Sequence, residues 1–224
     1  MKLSSNTTMV LKNFATINQN LVIKEGSELL TMSSMKNIVA KATVEENFPK
    51  EIAIYDLNEF LASLSIFKSP VLEFEEQYLT IKEEDQPHKK LTYFYSDPSV
   101  VQSPTKTITM PSEEVKFHLD MNKLLEMKRA AGVIGSPDMV LQKSSGNSSL
   151  LVKDKKNDTA NNYSSDIKTD GDGEYKFFFK VENLKLFDGD YDVKISSKNI
   201  SHFKNDKSSI EYWIALEPES TYSN

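Results

Sequence analysis

The residue types that most often carry out chemistry are present in this chain, but scattered. His88, His118 and His202 stand apart, with no His pair at metal-binding spacing. Asp170-Gly171-Asp172-Gly173-Glu174 superficially resembles a calcium loop. It lacks the third acidic position and the distal Glu such a loop needs, and it reads as a tight turn between strands. Glu45-Glu46, Glu75-Glu76 and Glu83-Glu84-Asp85 are adjacent acids, better explained as charged edges and turns that keep a β-rich protein soluble. There is no Gly-x-Ser-x-Gly elbow and no Gly-x-x-x-x-Gly-Lys phosphate loop, and 7 glycines leave little scope for a nucleotide cradle. The sequence points to no catalytic residue, no metal site and no cofactor, and so away from an enzyme.

What remains is electrostatic chemistry. Lys12 and Lys123 lie opposite the apolar stripes of predicted helices, and Arg129 falls at a stripe's margin. Lys128 falls on the apolar side and would have to extend outward along its stem. Lys68 closes a second predicted helix and Lys185 lies within a fourth. A solvated helix face explains any single one of these cations. Their recurrence on four helices favours a shared anionic partner, although Glu59 and Glu126 dilute the signal. Arg129 is the one arginine among 27 basic residues. A lysine repertoire supplies point charges suited to phosphate, whereas bidentate reading of base edges favours arginine. The net charge of −6, taken alone, argues against a protein that grips nucleic acid over its whole surface.

The elements that must position these cations show a repeat. Asp56-Leu57-Asn58-Glu59-Phe60-Leu61 returns as Asp120-Met121-Asn122-Lys123-Leu124-Leu125, an offset of 64 residues (120 − 56), each copy after a short apolar stretch. Each Asp can cap a helix whose next residue begins an apolar stripe, and such a repeated unit implies duplication. Helices are predicted over 7–18, 56–67 (with a capping box from Asp56 and Glu59), 120–131 ending at Gly132, and 181–187. Strands are predicted over 71–75, 78–82, 91–95, 115–119, 139–141, 150–152, 163–167, 175–180, 191–195 and 210–216, with 217–224 a polar tail. Pro98, Pro104 and Pro111 mark an extended connector. The expected class is α+β with mostly antiparallel sheet, in two domains, 1–110 (connector 97–110 included) and 111–224. No apolar run approaches the ~20 residues that span a bilayer, and the start lacks the apolar segment of a secretory signal. Zero cysteines exclude a disulfide framework and agree with a reducing cytosol.

Four blocks carry a resemblance over nearly the whole chain: Leu11-Lys12-Asn13-Phe14-Ala15-Thr16-Ile17-Asn18, Ala53-Ile54-Tyr55-Asp56-Leu57-Asn58, Asp97-Pro98-Ser99-Val100-Val101, and Ala215-Leu216-Glu217 with Ser220-Thr221. In this order they resemble the DNA polymerase sliding clamps of T-even-type bacteriophages. The resemblance is weakest from about 135 to 170. It implies a fold similar to proliferating cell nuclear antigen, with two similar domains, sheets outside and two helices per domain inside, closing into a homotrimeric ring. It implies double-stranded DNA held without sequence specificity, the replicative DNA polymerase, a clamp loader ATPase and late-transcription factors as partners, and the cytoplasm of the infected bacterial host as the location. By position it gives a DNA-channel role to Lys12, Lys123 and Arg129, then to Lys68, Lys128 and Lys185. It places a partner-peptide pocket at Val100, Val101, Ile108, Ile214, Leu216 and Pro218, for which ordinary packing is an even alternative. A subunit seam is expected where the strand bearing Leu91 and Tyr93 pairs with that bearing Tyr163 and Ile167 of a neighbour. The competing reading is a β-rich phage tail or baseplate component, with the lysines as mere surface.

Overall fold

The computed structural model describes residues 1–104 and 108–223. The chain divides into two compact units, Met1–Thr107 and Ile108–Asn224. In the first unit, α1 (Ser5–Ile17) precedes β1 (Leu21–Ile23), β2 (Gly26–Met32), β3 (Ile38–Phe48) and β4 (Ile52–Ile54). Then come α2 (Leu57–Ser65), β5 (Pro70–Phe74), β6 (Tyr78–Glu83) and β7 (Gln86–Phe94). The strands form antiparallel sheets ordered β4-β1-β2-β3 and β5-β6-β7.

Helix α1 starts two residues before the predicted Thr7 because Ser4 is its cap, the side chain accepting from the Thr7 N–H at 3.1 Å. Val10, Leu11, Phe14 and Ile17 are its buried stripe, and it packs on α2, β2 and β3. Strand β3 alternates buried and exposed over its second half, which puts Glu46 on the inward side. That carboxylate accepts from the Ser4 N–H and the Thr7 hydroxyl, so an acid in an apolar row anchors the start of α1. Burial works against the charged form of Glu46, but the bonds from Thr7 and Ser4 outweigh it and hold the carboxyl below its ordinary range.

In the second unit, β8 (Val115–Leu119) leads into α3 (Met121–Ile134). The strands β9 (Asp138–Ser144), β10 (Asn147–Lys153), β11 (Tyr163–Asp166) and β12 (Glu174–Lys180) follow, then β13 (Tyr191–Ser196), β14 (Ile200–Asn205), β15 (Ile210–Ala215) and β16 (Thr221–Ser223). Within this unit the antiparallel orders are β15-β14-β13-β8 and β11-β10-β9-β12-β16. Helix α3 lies over β9, β10 and β11, burying Leu124, Met127 and Ala131.

Five expectations need correction. Helix α3 does not stop at Gly132; it runs to Ile134, and Gly135 (φ 67°) takes the left-handed cap. The fourth helix is absent: Val181–Asn183 is one 3-10 turn, closed when the Leu184 N–H donates back to the Val181 carbonyl at 3.2 Å. So short a segment cannot repay helix nucleation, and no side chain caps it. The acidic Asp-Gly segment is no hairpin, since β11 and β12 are not neighbours. Asp170 instead bridges to Lys116, and a Cβ on Gly171 would meet the Glu114 carbonyl at 2.9 Å. The polar tail ends in β16, which adds to the β12 edge. Finally, the connector begins folded: Asp97 caps a 3-10 turn at Pro98–Val100, and Val101 is buried with Val22 and Ala53. The part of the connector at 105–107 lies outside the described residues.

Candidate nucleic-acid interface

The cations named from sequence fall into two groups. Lys12 is exposed on α1, opposite the buried stripe, and Arg129 on α3 and Lys68 after α2 are exposed as well. Among the described residues, none of the three has a carboxylate at salt-bridge distance. Lys123 is already engaged. Its ammonium donates to the Ser165 hydroxyl at 2.5 Å and lies 3.2 Å from the Glu126 carboxylate. Glu126 in turn accepts from the Tyr163 hydroxyl at 2.6 Å, and that bond, followed by Lys123, holds its carboxyl below the ordinary range. Lys123 therefore ties α3 to β11. Lys128 does not extend to solvent as expected; half-buried, it donates to the Leu184 carbonyl at 3.1 Å. Burial pushes its ammonium pKa down, against the pull of Asp188. Lys185, half-buried, follows the 3-10 turn instead of riding a helix.

The seam residues lie on sheet edges. Strand β7 has β6 on one side and no strand on its other side among the described residues, and the same holds for β11 beside β10. The opposite edge of the three-stranded sheet is covered, because Leu72 on β5 exchanges hydrogen bonds with Met1, at 2.7 Å and 2.6 Å. Leu91 is half-buried. Tyr93 turns inward, its ring edge-on to Phe60 at 5.3 Å and its hydroxyl donating to the Asp56 carbonyl at 3.4 Å. Burial, with Glu59 and Asp56 close by, pushes its phenol up to about 12. Phe94, at the end of β7, is 68% exposed. Tyr163 is partly exposed, and Ile167, just past β11, still donates to the Ser148 carbonyl at 3.2 Å.

The peptide-pocket residues divide by burial. Ile214 is fully buried, Leu216 and Val101 nearly so, and these three are core. Val100 is 59% exposed, Pro218 is exposed and Ile108 is half-buried. Beside the connector's start, Ile52, Ala53, Phe94, Tyr95 and Pro98 line a cavity of about 560 Å³ rimmed by Glu51, Glu76 and Asp97.

Sequence reasoning missed one grouping. His118 Nδ1 lies 3.3 Å from an Asp192 carboxylate oxygen and 3.7 Å from one of Asp206. Strand alternation places each of the first two outward, but only the β8–β13 register brings together residues 74 apart in sequence.

Two family models match the chain: DNA polymerase processivity factor over residues 2–101, and gp45 sliding clamp, C terminal, over residues 116–218. The chain is 33% identical over 223 residues to a sliding clamp of Vibrio phage KVP40, covering 97% of this chain and 99% of that one. It is 28% identical over 237 residues to the sliding clamp of Enterobacteria phage T4, covering 99% of each. A crystal structure of proliferating cellular nuclear antigen from Entamoeba histolytica superposes with a TM-score of 0.66 at 12% identity, covering 94% of each chain. At that identity the likeness is one of fold.

Proposed function

The chain belongs to the sliding-clamp family of DNA polymerase processivity factors, and from this we propose that it works as a homotrimeric ring around double-stranded DNA. Family membership removes the competing tail or baseplate reading. In the ring each subunit joins the next head to tail, β7 of one adding to β11 of its neighbour. The observation supporting this closure is the pair of open strand edges, one in each unit, since an unpaired edge is a template for another chain. Leu91 and Ile167 would lie along that seam, with Phe94 and Tyr163 supplying aromatic surface.

Three copies of a −6 chain carry −18, so the outside of the ring repels DNA while Lys12, Arg129 and Lys68 face the hole. A clamp that slides needs few, unspecific, salt-screened phosphate contacts, and lysine ammoniums make such contacts. Processivity comes from topology: the tethered polymerase stays at high effective concentration near its template. The ring itself performs no chemical step; a clamp loader ATPase opens it. The replicative polymerase and late-transcription factors dock short segments near the connector, where Val100, Ile108 and Pro218 keep exposed surface. The work takes place in the cytoplasm of the infected host.

Primer extension on circular template with loader and ATP tests the function. Longer products that require the clamp, the loader and ATP together are expected; products of unchanged length overturn it. Sedimentation tests the ring separately. A mass three times that of the 25.4 kDa chain is expected, and a persistent monomer at micromolar concentration overturns it.

A further inference from the structure

The exposed face of the β15-β14-β13-β8 sheet carries a cluster that clamp function does not use. His118 and Asp192 are directly opposed in the β8–β13 register, and the Asp206 N–H, just past β14, donates to the Asp190 carbonyl at 3.0 Å. The backbone therefore holds all three residues. A Zn²⁺ ion at about 2.0–2.1 Å from each tetrahedral ligand sets those ligand atoms about 3.3 Å apart. The His118–Asp192 pair has that spacing, at 3.3 Å, and the His118–Asp206 pair is close to it, at 3.7 Å. All three donor atoms fall within 4.8 Å of one another, and the side chains are exposed and free to close the remainder.

Charge points the same way. Among the described residues, neither Asp192 nor Asp206 has a lysine at salt-bridge distance. Lys116 and Lys194, on the same strands, are committed to Glu113 at 3.1 Å and 2.7 Å. Lys204, opposite Asp192 in the β13–β14 register, is likewise not at salt-bridge distance from either carboxylate, so the two carboxylates face the imidazole without a paired ammonium. One imidazole nitrogen with two carboxylates suits a borderline transition-metal ion better than Ca²⁺ or Mg²⁺, which take all-oxygen sets. We propose that His118 Nδ1, Asp192 and Asp206 form a three-ligand surface site for a divalent transition-metal ion, Zn²⁺ fitting best, with a fourth position open to water.

The test is calorimetric titration of Zn²⁺ into the full-length, tag-free protein after chelator dialysis, with Co²⁺ absorption reporting geometry. One ion per chain is expected, with a tetrahedral Co²⁺ band. His118→Ala and Asp192→Asn should each weaken binding by about tenfold or more, at least the loss that outer-shell changes cause. His202→Ala should bind as the parent does, and circular dichroism should show every variant folded. The proposal is overturned if the parent chain takes up no Zn²⁺, if His118→Ala binds as tightly as the parent, or if His202→Ala removes the site instead.

Discussion

The two units begin their repeated helix the same way and then use their charges differently. Asp56 caps α2 by accepting from the Asn58 and Glu59 N–H groups, at 2.9 Å and 3.1 Å; Asp120 caps α3 by accepting from Lys123 N–H at 2.8 Å. At the third helical position the first unit has Glu59 and the second Lys123. In the first unit two helices pack on each other and their neighbouring cations, Lys12 and Lys68, are exposed. In the second, one helix lies over the sheet, and Lys123, Glu126 and Tyr163 bind it to an edge strand. A duplicated element thus keeps its backbone device while its side chains differ in how far they are tied into the fold. A cation's place on a helix face does not by itself make it available.

The largest effect expected comes from the support under β7. Phe60→Ala should cost about 3–5 kcal/mol and Met127→Ala, in α3, about 2–5 kcal/mol in urea unfolding. Phe60→Ala should also weaken the trimer in sedimentation more than Met127→Ala does, because the Phe60 ring directly backs Tyr93 on a seam strand. Equal loss of trimer in both variants would erase the contrast.

Next is the acid that anchors α1. Glu46 has a folded pKa below its unfolded value, so its stabilisation is present above the ordinary carboxylate range and is lost as pH falls through the depressed folded value. Glu46→Gln should cost about 1.5–3 kcal/mol at pH 7, the range for hydrogen bonds to a charged group, and should flatten the acid limb of stability. Glu126→Gln, only half-buried in the second unit, should change the limb little. Urea midpoints at pH 7 and in acid decide between them.

A third contrast concerns the cations. Lys12→Glu with Arg129→Glu should impair loading or retention on circular DNA by about tenfold with the trimer intact, since lost phosphate contacts weaken the encounter with DNA steeply. Lys123→Ala should leave retention close to the parent's and instead loosen α3 from β11, read as faster amide exchange there. Equal retention defects would return Lys123 to the channel. The smallest effect separates the caps: Asp56→Ala, which loses two accepted bonds, should cost about 1–2 kcal/mol and Asp120→Ala about 0.5–1 kcal/mol in thermal or urea melts.

How much was legible varied with the physics behind each element. Strand β8 was readable to the residue because Val115, Phe117 and Leu119 alternate with Lys116 and His118, and half-burial demands that period. Both Asp caps were readable because capping is local. The end of α3 was not: Gly132 and Gly135 both offer a stop, and only the finished helix shows which adopts positive φ. Periodicity put Lys128 on the apolar side with its stem expected to reach solvent, but the segment after Asn183 supplied a carbonyl that captured it.

The sequence by itself determined the duplicated plan, the α+β class, the capped helices and, through four ordered blocks, the family. These follow from local periodicity, from caps within a turn, and from residue identities that require no folding to compare. Only the tertiary structure decided which lysines remain free, which strands stand at an edge and that His118 meets Asp192 and Asp206. Those outcomes depend on strand register and on partners tens of residues away, and a single-residue shift in register would turn each side chain to the other face.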